Sequence, residues 1–160
     1  MLTTITILIS LLLWTTAICL GWFRPKPIQK TISLLWISAF VIFVIHIFAA
    51  FHEHYEWSHQ VALTETARQT KETFKVETGV GLYVNYIFAI CLVLDLWAQF
   101  KKGGTNHRWR NWIDGFVIFM LINGAIVFGT IQSRIVGGLC LAAIAFAKIA
   151  PSPTPRRKMD

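Results

Sequence analysis

The chain has 160 residues and a formal net charge of +7, yet only 14% of its residues are charged, against about 25% in a typical soluble domain. Hydrophobic residues make up 55% of the chain, and the mean hydropathy is +0.56. This composition excludes an ordinary soluble domain. It indicates a polytopic membrane protein whose length suits one bundle of helices.

Five apolar segments predict an all-α transmembrane helical bundle that occupies residues 1–150. The first four are each near the roughly 20 residues that cross about 30 Å of hydrocarbon. The fifth has only 16 residues and spans if Arg134 and Lys148 extend to the two interfaces. Otherwise it is a short interfacial or re-entrant helix, and the bundle has four spans. The predicted spans are residues 2–22, 31–51, 81–100, 111–131 and 135–150, followed by a Pro-rich tail, 151–160, that we expect to be disordered.

The distribution of Lys and Arg predicts the orientation. Segments 23–30 and 101–110 carry basic residues and no acid, and the tail is also basic, so all three are predicted to be cytoplasmic. Segment 52–78 has five Glu against three basic residues and is predicted to lie outside. Five spans satisfy this pattern, with a bacterial inner membrane as the expected location. Because the basic residues are divided among flanking segments, the charge does not indicate nucleic acid binding.

Four of the five histidines lie in the stretch HIFAAFHEHYEWSH, residues 46–59. No Pro or Gly interrupts residues 31–78, so we predict that the second helix continues outward to about residue 75 as an amphipathic helix. The alternative is a break near Phe51, which would remove the stripe described next. On a continuous helix, His52, Glu56 and His59 share one stripe. This stripe is the less polar side of the outward extension.

The stripe predicts a metal site. Spacings of i, i+4 and i+7 let the side chains of His52, Glu56 and His59 converge on one ion. The cofactor is not identified by the pattern and would be a transition metal or haem. The alternative is a set of polar groups at the membrane–water interface, since the stretch contains no H-E-x-x-H motif.

A second candidate site, for a cofactor, lies deeper on the same helix. His46 is inside the apolar run, and intramembrane ionisable residues are costly and usually face the bundle. Asn85 and Asn123 are expected at a similar depth or a turn deeper, and would form a polar layer with His46. Glu53, seven residues after His46, would cap that layer. The alternative for these residues is hydrogen bonding between helices.

Two acidic residues are predicted near the cytoplasmic ends of the third and fourth spans. Asp95 and Asp114 lie close in sequence to four basic residues, which are Lys101, Lys102, Arg108 and Arg110. We expect ion pairs at the inner surface. Small residues spaced four apart in the last two spans, such as Gly138 and Ala142, allow close helix contacts within the chain or with a partner.

These features favour a non-catalytic accessory or scaffolding subunit of a membrane complex, and no catalytic residue is assigned. The expected partners are the lipid bilayer and other membrane subunits or further copies of the chain. A metal- or haem-dependent redox protein, with its site on the outer side of the second helix, is the first alternative. A small solute or proton pathway is the second, although the middle of the predicted bundle has few polar residues.

Overall fold

Residues 1–23, 28–102 and 107–150, which the computed structural model describes, are helical apart from short connections, as the sequence predicts. The tail that is predicted to be disordered lies outside these residues, as do residues 24–27 and 103–106 of the two basic segments. The helices are α1 (Leu2–Phe23), α2 (Gln29–His54), α3 (His59–Phe74), α4 (Val80–Lys102), α5 (His107–Leu121) and α6 (Ile131–Ile149).

Within the described residues, five helices are long and apolar enough to cross a membrane. They are α1, α2, α4, α6, and α5 together with the π-helical segment Ile122–Val127 that continues it. The fifth apolar segment is a 19-residue helix, longer than the 16 residues predicted. It begins earlier because the Thr130 side chain caps it, with Oγ1 accepting from the Ser133 amide at 3.4 Å. Arg134 therefore lies inside the first turn and donates from Nε to the Gly129 carbonyl at 3.1 Å.

The core of the bundle forms around α1, which packs along α2 and against α6. Trp14, at the middle of α1, is 1% exposed. Its ring lies 5.4 Å from Phe43 of α2, 5.6 Å from Phe88 of α4 and 6.3 Å from Trp36 of α2. Aromatic rings at these separations and angles pack more favourably than their area alone predicts. The aromatic cluster thus joins three spans near their middle.

The prediction of one continuous helix from residue 31 to about residue 75 is wrong. The second helix ends at His54, and a separate helix begins at His59. In the connection, Glu56 and Trp57 have φ angles of 49° and 58°, in the left-handed region that side chains other than glycine rarely adopt. A helix cannot pass through two such residues, although neither is Gly or Pro.

Local contacts stabilise this break. The Trp57 amide donates to the Phe51 carbonyl at 3.1 Å, which closes a loop of seven residues and gives one of the last carbonyls of α2 a partner. The Trp57 ring also packs 6.5 Å from Phe51 and 6.1 Å from Phe48. Ser58 then caps the next helix, its hydroxyl accepting from the Val61 amide at 3.3 Å. The Ser58 cap is the sequence signal for the break.

The separate helix α3 is amphipathic, as predicted, and packs on the beginning of α4. Ala62 is fully buried on its inner face. Gly79 permits the close approach, because a Cβ atom built there would lie 2.4 Å from Leu63 Cδ1. On the outer face, Arg68 pairs with Glu65 and Glu72, the two spacings expected of an exposed helical face.

Candidate functional site

The beginning of α1 is held by the carboxylate of Glu53, at the end of α2. The Glu53 oxygens accept hydrogen bonds from the amides of Leu2 and Thr3 at 3.0 and 3.1 Å, and from Thr3 Oγ1 at 2.6 Å. The first amides of a helix have no acceptor within their own helix, and a negative charge there is favourable. Glu53 therefore acts as an N-terminal cap that is supplied by another helix.

His46, two helical turns before Glu53 on α2, binds the same turn of α1. Its Nδ1 donates to the Thr3 carbonyl at 2.9 Å and lies 3.4 Å from Thr6 Oγ1. The imidazole is stacked on Phe43 with 6.2 Å between the ring centroids. The structure thus brings the two predicted cofactor ligands, His46 and Glu53, to one place, where both contact α1. The amide and hydroxyl groups of Thr3 bind Glu53, and its carbonyl group binds His46. The sequence alone did not indicate Thr3 as their partner.

The three predicted metal ligands do not share one helix in the structure. His52 lies in the last turn of α2, where its ring centroid is 6.3 Å from that of Trp57. Glu56 lies in the left-handed connection, and His59 begins α3. Among the described residues, no group of three or more His, Cys, Asp or Glu side chains is arranged to hold a metal ion. The physical reason is the helix break, because the i, i+4, i+7 stripe exists only on a continuous helix.

His59 instead joins α3 to α4. Its Nδ1 lies 3.0 Å from the hydroxyl oxygen of Tyr86, and the two rings are stacked with 5.8 Å between centroids. Tyr83, one turn earlier on α4, meets the imidazole edge-on at 6.1 Å. This aromatic contact fixes α3 against the membrane-spanning helix.

The predicted polar layer is not assembled around His46. Asn85 lies on an exposed face of α4, and Asn123 is partly buried in the π-helical segment. The Asn123 carbonyl accepts from the Phe128 amide at 3.1 Å, which closes the π-helical turn. In the part of the chain that the structure describes, the hydrogen-bond contacts of His46 are with Thr3 and Thr6.

At the opposite end of the bundle, Arg110 joins two acidic residues inside the protein. Its Nη1 lies 3.1 Å from Asp95 Oδ2, and its Nε lies 3.4 Å from Asp114 Oδ1. Gln99 Nε2 donates to the same Asp95 oxygen at 2.7 Å. The predicted ion pairing is confirmed for Arg110, but the location differs from the predicted surface: the Asp95 side chain is only 1% exposed.

The guanidinium of Arg110 also lies over the ring of Trp36, 3.6 Å from its centroid. Arg110 therefore contacts α2, α4 and its own helix α5. A planar guanidinium can do this because it stacks on an aromatic face while its N–H groups bind carboxylates in its plane. Burial of the two carboxylates is tolerable only with such a partner, so this cluster fixes the relative positions of three helices.

The chemistry at both ends of the bundle therefore joins helices: Glu53 and His46 at one end, and Arg110 with its carboxylates at the other. Comparison with known proteins adds no further assignment. No protein-family model, no curated protein and no solved structure matches this chain.

Proposed function

We propose that this protein is a non-catalytic accessory subunit that binds another integral membrane protein through the outward face of α6. The observation that carries the proposal is the open space along Gly138, Ala142 and Ala145, which we call the small-residue face. These residues recur at i, i+4 and i+7 and are all exposed. A Cβ atom built at Gly138 would meet nothing within 4 Å.

The neighbouring Gly137 shows what a filled small-residue contact looks like in the same helix. A Cβ atom there would lie 2.9 Å from the Cβ of Ala125. Gly137 and Ile144 belong to the buried face of α6, which packs on α1 and the π-helical segment. In lipid, small residues let two helix backbones approach closely. The small-residue face offers that approach to a helix from outside the chain.

The polar contacts support a structural role. Glu53, His46 and Arg110 each bind another helix of the same chain. The redox alternative rests on His52, Glu56 and His59, which the break after α2 separates. The accessory role needs no further group.

For the orientation, we propose that α3 lies outside a bacterial inner membrane and that the α4–α5 connection is cytoplasmic. The excess of Glu in segment 52–78 and of Lys and Arg in segment 101–110 supports this arrangement. α3 follows the end of α2 and precedes the beginning of α4, whereas Arg110 lies near the beginning of α5. The two charged segments therefore belong to opposite ends of the bundle.

Photo-crosslinking in native membranes tests the proposal. A photoreactive amino acid is placed at Ile135, one turn before Gly138 and beside the small-residue face. A second is placed at Ile90 on α4, and both native residues are 59% exposed. We expect a discrete protein adduct from position 135 and none from position 90. Gly138→Leu should abolish the adduct, whereas Gly124→Leu, which also adds a side chain in open space, should leave it.

Mass spectrometry of the adduct identifies the partner. An adduct between two copies of this chain would show self-association and contradict the accessory role. An adduct unaffected by Gly138→Leu, or no adduct in correctly inserted protein, would contradict the small-residue face as the binding surface. Circular dichroism of purified Gly138→Leu excludes misfolding as the cause of a loss.

A further inference from the structure

A groove between α4 and α5 includes none of the residues of the small-residue face. Its cavity volume is about 650 Å³, within the range of about 300–1,000 Å³ of small-molecule sites. Cys91 of α4 lines one side of the groove, and the other lining residues belong to α5. The α5 side chains that matter here are those of Arg108, Trp112, Phe116 and Phe119, together with the backbone at Gly115.

The shape of the groove suits a hydrocarbon chain. Gly115 leaves its floor without a side chain, and a Cβ atom built there would meet nothing within 4 Å. Phe116 and Phe119 supply apolar walls along the next turn of α5. Since α5 is one of the helices apolar enough to span the membrane, the groove runs along a surface that lipid chains reach.

One end of the groove is basic and aromatic. Arg108 begins the span of α5, and Trp112 follows one turn later with 73% of its side chain exposed. Trp side chains favour the level of lipid headgroups, and the guanidinium has five N–H donors suited to phosphate oxygens. Segment 101–110, which includes Arg108 and Arg110, carries four basic residues and no acid. Counted against Asp95 and Asp114, these four residues leave this end of the bundle with a formal net charge of +2.

We infer that this groove binds one anionic phospholipid, with its phosphate at Arg108 and an acyl chain across Gly115 between the aromatic walls. Basic pockets between membrane helices on the cytoplasmic side recognise anionic headgroups in this way. The inference rests on the proposed cytoplasmic location of the α4–α5 connection, but it is independent of partner binding, because it concerns α4 and α5 and not the small-residue face of α6. The inference also rests on two features together, the apolar groove along α5 and the positive charge at one end of that groove.

Native mass spectrometry of the full chain in detergent provides the test. Phosphatidylglycerol or phosphatidylcholine with identical acyl chains is added at equal concentration. We expect about tenfold preference for phosphatidylglycerol, because phosphatidylcholine carries the same phosphate together with a choline cation that the positive end of the groove repels. Arg108→Gln should remove the preference, and Gly115→Leu should lower binding of both lipids because its side chain occupies the groove.

Gly124→Leu is the matched control, because it adds the same side chain farther along the same membrane-spanning segment, also in open space. It should bind both lipids as the unaltered chain does. If Gly115→Leu does not fold, Phe119→Ala removes a wall of the groove and should also lower lipid binding. Equal binding of the two lipids by the unaltered chain, or binding unaffected by both groove variants, would overturn the inference.

A photoreactive amino acid at Phe119 distinguishes a lipid from a protein helix in native membranes. We expect a phospholipid adduct at this position. A protein adduct would show that a partner helix fills the groove and would overturn the lipid assignment. Gly138→Leu affects the partner surface on α6 and not this groove, so failure of either proposal can be recognised separately.

Discussion

Glu53 accepts a hydrogen bond from the Thr3 amide at 3.1 Å and another from Thr3 Oγ1 at 2.6 Å, although the two residues are 50 positions apart. This pair closes the α1–α2 hairpin at the end opposite its connection. Helix capping is usually supplied by a residue adjacent in sequence. Here the cap comes from the neighbouring helix, so it stabilises the helix end and the contact between the helices together.

Glu53→Ala should lower the melting temperature in detergent by about 2–4 °C, the size expected for loss of one helix cap in a chain of this length. Glu53→Gln should lower it less, because the amide oxygen can still accept from Leu2 and Thr3. Glu77→Ala, which removes an exposed ion pair with Lys71, should have little effect. Equal melting temperatures for Glu53→Ala and Glu77→Ala would contradict the capping role.

The sign of the change in unfolding free energy caused by Glu56→Gly distinguishes a helix break from a continuous helix. In a continuous helix, glycine would destabilise the protein by about 1 kcal/mol. At a φ of 49°, glycine relieves the strain of a left-handed side chain, so the variant should be as stable as the unaltered chain or more stable. Thr64→Gly, inside α3, should destabilise. The measurement is chemical unfolding monitored by circular dichroism.

Arg110→Met should destabilise the protein by about 3–5 kcal/mol, because it leaves Asp95 and Asp114 inside the protein without their cation. Replacing all three residues, with Asp95→Asn and Asp114→Asn added, should recover a large part of the loss. Equilibrium unfolding of the single and triple variants measures both effects. If the triple variant is less stable than Arg110→Met alone, the charges are not the source of the loss.

His59→Phe should release α3 from α4 while retaining a ring at the contact. Loss of the contact to the Tyr86 hydroxyl should speed hydrogen exchange of the α3 amides by about two- to fivefold, as for a partly exposed hydrogen bond. Tyr86→Phe should have the same effect. Tyr83→Phe keeps its edge-on ring contact with His59 and serves as the control. Unchanged exchange in both His59→Phe and Tyr86→Phe would contradict the contact.

Helix α3 should also loosen in acid. Hydrogen bonds from the Arg68 guanidinium hold the pKa of Glu65 at about 2, below its ordinary value of 4.5. A lowered pKa stabilises the folded state fully above the ordinary value, and the contribution is lost as pH falls from about 4.5 towards 2. Because Arg68 is exposed, the effect should be small. Hydrogen exchange of α3 between pH 5 and pH 2.5 should show it, and Glu65→Gln should reduce the pH dependence.

Much of the fold follows from the sequence by itself. Runs of about 20 apolar residues must form helices in a bilayer, because only internal hydrogen bonds satisfy the backbone there. The five spans and the amphipathic helix α3 depend on such local patterns, and the structure contains them. The break before α3 also has a local signal, because Ser is a residue type that caps helices. The prediction of a continuous helix rested only on the absence of Pro and Gly from residues 31–78.

Tertiary structure decided which polar groups meet. The sequence placed four basic residues near Asp95 and Asp114, and packing put Arg110 between the two carboxylates and over Trp36. The sequence also placed His46 and Glu53 on one face of α2. Helix packing then brought both side chains against the first turn of α1. Side-chain spacing along one helix is local, whereas the partner of a buried polar group depends on which helix lies beside it. The metal-site prediction for His52, Glu56 and His59 instead depended on a local feature, a continuous helix, and that helix ends at His54.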